Sequence, residues 1–144
     1  MSRVYTYSFE DTTVEIMHPG FGRYSAYGTG IGNVKVSMAQ NVTSKAVAAD
    51  LTVIVSKHVY KDGTIDFSIL QSSDFNNWLK KLSAFLENSN TDQWALTTIS
   101  VQNKSTVDSF YCTGVVPVKR PDVTFDAKAE NIDWSFEAAN ISNS

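Results

Sequence analysis

Ser73-Asp74-Phe75-Asn76-Asn77-Trp78-Leu79-Lys80-Lys81-Leu82-Ser83-Ala84-Phe85-Leu86-Glu87-Asn88 is the one long stretch of this chain with a helical period. Phe75, Trp78, Leu79, Leu82, Phe85 and Leu86 recur at three- and four-residue steps, which stacks them on one helical face. Ser72 or Ser73 can cap the first turn, Asp74 sits beside the positive end of the helix dipole, and Glu87-Asn88-Ser89-Asn90 has the composition of a stop. Burying six large apolar side chains is worth at most on the order of 10–15 kcal/mol. Such a helix must dock on something, and the flanking sequence says what.

Short segments rich in Val, Ile, Thr, Tyr and Phe lie on both sides. The spacing predicts strands over Tyr5–Phe9, Thr13–Met17, Asn33–Met38, Leu51–Ser56, Thr64–Leu70, Thr97–Gln102, Ser109–Val116 and Ile132–Ala138. In Thr64–Leu70, Ile65, Phe67 and Ile69 alternate with Asp66 and Ser68; in the last strand Ile132, Trp134, Phe136 and Ala138 alternate with Asp133, Ser135 and Glu137. One wet face implies antiparallel pairing, and the missing strand–helix–strand rhythm excludes an α/β nucleotide-binding fold. The expected class is mainly β: an antiparallel β-sandwich or barrel with one flanking amphipathic α-helix, residues 1–144 forming one domain. Lys61-Asp62-Gly63 reads as a hairpin turn between Leu51–Val59 and Thr64–Leu70. His18–Gly30 and Ala39–Asp50 read as irregular connections, which in a compact domain usually bind something. Asn140–Ser144 is expected to fray.

The net charge of −3 and pI near 5.2 argue against ordinary nucleic-acid binding, which relies on Lys and Arg to displace counterions. No run of apolar residues is long enough to span a bilayer and the N-terminus has no signal-peptide core, so a cytoplasmic origin without a membrane partner is expected. The lone Cys112 lies in a strand and reads as a small buried apolar residue. Gly28-Thr29-Gly30-Ile31-Gly32 lacks dinucleotide spacing and leads into a strand, not a helix N-terminus. His18 and His58 stand alone, with no ligand spacing around them, and no serine lies in a nucleophile elbow. No catalytic, cofactor or metal residue is expected. Asn41-Val42-Thr43, Asn103-Lys104-Ser105 and Asn140-Ile141-Ser142 match the glycosylation sequon by coincidence if the chain is not secreted.

Taken in order, Tyr7-Ser8-Phe9-Glu10-Asp11, His18-Pro19-Gly20-Phe21-Gly22, Gly30-Ile31-Gly32 with Val36-Ser37-Met38-Ala39, and Val47-Ala48-Ala49-Asp50 leading into Val53-Ile54-Val55-Ser56-Lys57 form a recurring pattern. Trp78-Leu79-Lys80-Lys81-Leu82, Lys119-Arg120-Pro121-Asp122 and Trp134-Ser135-Phe136-Glu137-Ala138-Ala139 continue it. The pattern resembles the tail-tube subunits of contractile-tailed phages and covers nearly the whole chain. The resemblance implies a homohexameric ring, stacked into a hollow tube that conducts DNA during ejection. It also implies a sheath around the tube, baseplate and tail-terminator partners, and a place in the virion tail after synthesis in the host cytoplasm.

A ring would also answer for open sheet edges, since Thr97–Gln102 and Ile132–Ala138 carry no proline and few charges to blunt them. Within this reading Glu15, Asp66, Asp133 and Glu137, against Lys35, are candidate lumen-facing residues, because carboxylates let a polyanion slide unheld. Asn41, Val42, Thr43, Ser44, Lys45 and Ala46 are the candidate inter-ring contact loop. The alternatives are the inner-tube protein of a tailocin or secretion-type injection machine, and a β-sandwich carbohydrate-binding module with an exposed aromatic patch.

Overall fold

The computed structural model describes residues 4, 8, 11–27, 31–125, 127, 128 and 130–143. Nine strands and one helix follow in chain order: β1 (Thr12–His18), β2 (Gly22–Ala26), β3 (Ile31–Met38), β4 (Thr43–Val47), β5 (Val53–Lys57), β6 (Gly63–Leu70), α1 (Asp74–Asn88), β7 (Thr97–Asn103), β8 (Asp108–Pro117) and β9 (Asn131–Asn143). A short 3-10 turn, Thr91–Gln93, follows the helix. Seven strands form one antiparallel sheet in the order β2-β1-β7-β8-β9-β6-β3; β4 and β5 form a separate two-stranded ribbon. The strand expected over Tyr5–Phe9 falls, apart from Ser8, outside the described residues.

The outermost strands β2 and β3 are consecutive in sequence, joined only by residues 27–30. Across a flat sheet they would lie at least about 29 Å apart at ~4.8 Å per strand. Five chain steps from Ala26 to Ile31 reach no further than about 18 Å. The sheet must therefore twist and curl, and it forms a half-barrel. Both margins turn toward one core: Tyr24 of β2 and Val34 and Val36 of β3 pack against the cluster that also holds Ile16, Phe67, Ile99, Val115 and Trp134. That cluster fills the concave side.

Helix α1 closes the opening. Ser73 caps it, accepting the Asn76 N–H at 3.2 Å, and Phe75, Leu79, Leu82 and Leu86 are buried. Trp78 and Phe85, on the same helical period, are half-buried at the margin of the stripe, where they meet Phe21, Tyr24 and His18. Asn76 is fully buried yet satisfied: its Oδ1 accepts the Trp134 indole N–H at 2.9 Å and its Nδ2 donates to the Gln71 carbonyl at 3.0 Å. One polar side chain thus fixes the helix start, the preceding loop and strand β9 together.

Several expectations need correction. Thr97–Gln102 and Ile132–Ala138 are not outer strands of the sheet: β7 is paired with β1 and β8, while β9 is paired with β6 over Asn131–Ala138 and with β8 from Phe136 onward. The edges are β2 and β3. Lys61-Asp62-Gly63 is not a hairpin turn, because β6 pairs with β3 and β9 while β5 pairs with β4. Gly63 is needed for close approach, since an added Cβ would collide with the Ser37 carbonyl and sit 2.7 Å from Ile141 Cδ1. Part of each irregular segment is strand, β2 in the first and β4 in the second. Strand β9 runs on to Asn143 and buries Ile141, so the chain is paired with β8 where fraying was expected.

Phe75→Ala should lower the unfolding free energy by about 3–5 kcal/mol through the cavity it opens. Asn76→Leu should cost about 1–3 kcal/mol for each group it orphans, the Trp134 N–H and the Gln71 carbonyl. Urea unfolding followed by tryptophan fluorescence measures both, and a loss below 1 kcal/mol for either would contradict this packing.

Candidate assembly surfaces

Alternation leaves the convex face of the sheet largely polar, with Met17 of β1 and Tyr111 and Val116 of β8 as its apolar members. Thr13 and Glu15 of β1, Thr98 and Ser100 of β7, Ser135 and Glu137 of β9, and Thr64 and Asp66 of β6 all point away from the core. All four carboxylates expected on one surface are here, but the structure gathers only three of them. Asp66, Asp133 and Glu137 lie on the paired strands β6 and β9, whereas Glu15 is on β1, with β7 and β8 between it and β9. No carboxylate stands directly opposite another. Asp66 faces Lys35 and Ser135, Asp133 faces Ser68, and Glu137 faces Thr64 and Val116, an arrangement that avoids like-charge cross-strand pairs.

Sequence reasoning counted Lys35 as the one cation of this face and missed Arg23. Residues 18–30 read as irregular, so their alternation was not used. Strand β2 puts Arg23 opposite Met17, and its guanidinium lies 3.4 Å from the Glu15 carboxylate in an exposed pair. The four carboxylates therefore share this face with two cations.

The second surface is the ribbon. Backbone pairing between β3 and β6 stops at Met38–Gly63 and resumes between β4 and β5 from Thr43–Lys57 to Val47–Val53. The stretch from Ile31 to Leu70 is thus one long interrupted hairpin whose outer half leaves the sheet. Every residue of β4 and β5 is exposed, including Val47, Val53, Ile54 and Val55. The expected contact loop Asn41–Ala46 is the first edge of this ribbon. Its turn is closed by the Leu51 N–H donating to the Ala48 carbonyl at 2.9 Å and the Thr52 N–H donating to Asp50 Oδ1 at 3.0 Å. The latter bond holds the Asp50 carboxyl below the usual carboxylate range.

Both histidines have hydrogen-bond partners, and the cysteine lies in the core. Nδ1 of buried His18 accepts the Gly20 N–H at 3.0 Å, so Nε2 carries the proton and donates to the Gln93 carbonyl at 2.9 Å. His58 Nε2 meets Ser44 Oγ at 3.0 Å and its ring stacks on Tyr60. That pair is exposed, and no carboxylate orients the ring among the described residues; it ties the base of the ribbon. Burial pushes the Cys112 thiol up to about 11. No three His, Cys, Asp or Glu side chains converge as metal ligands among the described residues. Among the described residues, no helix is long and apolar enough to cross a membrane.

A curled antiparallel half-barrel with one docked helix is a fold shared with tube proteins of contractile injection systems. A chain in the cryo-EM structure of the PVC extracellular contractile injection system's sheath/tube terminator, in the extended state, aligns with TM-score 0.62 at 7% identity, over 99% of this chain and 99% of that one. A chain of the PVC sheath-tube complex aligns with TM-score 0.60 at 9% identity, over 97% and 92%. A chain of the anti-feeding prophage baseplate aligns with TM-score 0.55 at 8% identity, over 100% and 97%. Comparison with curated proteins gives no match. The chain belongs to the bacteriophage PhiTE tail tube protein family, whose model matches residues 4–144. It is a structural tail tube component of a phage or injection-system particle.

Two measurements check these surfaces. Asp133→Ala and Glu137→Ala, at solvated positions, should each change stability by no more than about 0.5 kcal/mol. Cys112 should resist maleimide at pH 8 in the folded chain and react at once in denaturant, because the thiolate is the reactive form and burial disfavours it. Fast labelling of the folded chain would contradict its placement.

Proposed function

We propose that this tail tube protein closes into homohexameric rings that stack into a hollow tube, the tube conducting DNA during ejection and catalysing nothing. The observation that carries the reading is the division of one sheet. Its concave face is filled by core and helix, its convex face is largely polar, and among the described residues its two margins, β2 and β3, have no strand on their outer sides. Pairing margin to margin with adjacent copies satisfies those backbone groups, and ring closure ends the process.

In this reading part of the convex face lines the lumen, with Asp66, Asp133 and Glu137 at its centre and Glu15 at its shoulder. Carboxylates there prevent the counterion release that would hold DNA, so the polymer passes without specific binding. The ribbon, including Asn41–Ala46, reaches the adjacent ring. A sheath surrounds the tube, and baseplate and tail-terminator proteins meet its ends, consistent with what the PVC and anti-feeding prophage structures are described as containing. The subunit is made in the host cytoplasm and ends in the virion tail. The same likeness supports a second reading, in which an equivalent tube serves an injection machine that delivers something other than a phage genome.

Electron microscopy of the purified chain should show six-fold rings and hollow tubes; a monomer at every concentration would overturn the proposal. Replacing residues 43–57 by two glycines joins Val42 to His58, whose N–H already donates to the Val42 carbonyl at 2.8 Å. That variant should fold and form rings but lose long tubes. Tubes of ordinary length from it would remove the ribbon from the contact.

A further inference from the structure

Among the described residues, the non-glycine positions with positive φ are Leu51, at 70°, and Val107, at 60°. Each sits in a turn between paired strands, Leu51 between β4 and β5 and Val107 between β7 and β8. Both side chains lie in solvent, Leu51 being 81% and Val107 82% exposed. The left-handed region brings Cβ against the backbone carbonyl, and it is least tolerable for a β-branched residue such as Val. Gly, Asn or Asp would fit either turn more easily.

Neither side chain helps to hold its own turn. The first is closed by the Leu51 N–H and Asp50 bonds already described. In the second, Asn103 Oδ1 accepts the Ser105 N–H at 3.0 Å and the Thr106 N–H at 3.1 Å, and Thr106 Oγ1 donates to Asp108 Oδ2 at 2.7 Å. Two apolar side chains are thus largely exposed in a costly conformation, and none of the hydrogen bonds that close their turns depends on them.

Both turns lie beyond the same ends of the central strands. The ribbon springs from Met38–Gly63, in register with Ala138, and the β7–β8 turn lies beyond Phe110–Asn143, so both follow the direction of the β9 C-terminus. The other ends of β6, β8 and β9 also expose apolar surface. Phe125, between β8 and β9, is 90% exposed, and an open cavity of about 440 Å³ beside the helix start is lined by Tyr27, Leu70 and Phe75 and as much by Ser72, Ser73 and Asp74. Apolar side chains exposed at both ends, Leu51 and Val107 at one and Leu70 and Phe125 at the other, suit a second copy of the same chain placed head to tail.

We propose that Leu51 and Val107 are anchors, held in left-handed turns so that their side chains project, and that they insert into the opposite end of the next copy in the tube. This rests on the stacked-tube reading and adds to it the residues that lock the stack and its polarity. Asn tolerates the left-handed conformation and removes the apolar side chain, so it separates the two roles. Leu51→Asn and Val107→Asn should leave the melting temperature of the unassembled chain unchanged or raise it by up to about 4 °C. The double variant should raise the concentration needed for tube formation, measured by sedimentation and microscopy, by tenfold or more. Leu51→Met, which keeps an apolar side chain in the same turn, should assemble like the unmodified protein.

Asn variants that form tubes at the unmodified concentration would overturn the anchor assignment and leave the tube reading standing. A fall in melting temperature beyond about 4 °C would show that the side chains serve their own chain, and would also overturn it. An unmodified chain that forms no rings or tubes would remove both readings together.

Discussion

The link formed by residues 27–30 is the constraint on which the rest depends, because it ties together the outermost strands of a seven-stranded sheet. A chain that must return from β2 to β3 in so few steps cannot keep the sheet open and flat. Curling separates the two faces completely, one sealed around a core and one left to solvent, and it creates an opening only a helix-sized element can fill. Helix α1 fills it, and the Asn76–Trp134 bond fixes the helix to β9 with the start of the helix over the opening. The division into a filled face and a polar face, from which the functional reading grows, follows from that geometry.

His18 ties a turn to the segment after the helix, His58 ties the base of the ribbon, and Cys112 fills the core, so each has a structural role. Of the surfaces that remain, the convex face is broad and hydroxyl-rich with spaced charges, and the ribbon is a narrow strip exposed on both faces. Broad surfaces of this kind suit repeated contact with extended partners better than the capture of one small molecule.

Much of this fold could be read from residues alone, and the failures have physical causes. Ser73–Asn88 was legible because cap, acidic first turn and apolar period agree with one another. The alternation of Ile65, Phe67 and Ile69, and of Ile132, Trp134 and Phe136, correctly separated core from solvent faces. Strand β4 escaped because both its faces are exposed, so no alternation marks Thr43–Val47. The ribbon turn escaped because Ala49-Asp50-Leu51 contains no glycine, while the Asp62-Gly63 pair nearby imitated a turn and served a close approach between three strands instead. Which strands became edges was beyond local pattern, since it depends on the order in which distant segments pair. Arg23 was hidden for the same reason as β2: a short margin strand beside Pro19 and Gly22 reads as a loop.

The interrupted hairpin from Ile31 to Leu70 also sets how the molecule would carry a mechanical load. A pull on the ribbon along its length enters β3 and β6, and passes from β6 into β9 through the register from Gly63–Ala138 to Leu70–Asn131. Force applied parallel to those strands loads their backbone hydrogen bonds in shear, many rungs at once, where a perpendicular pull would open them singly. Resistance to stretching then resides in the peptide ladder at the centre of the sheet.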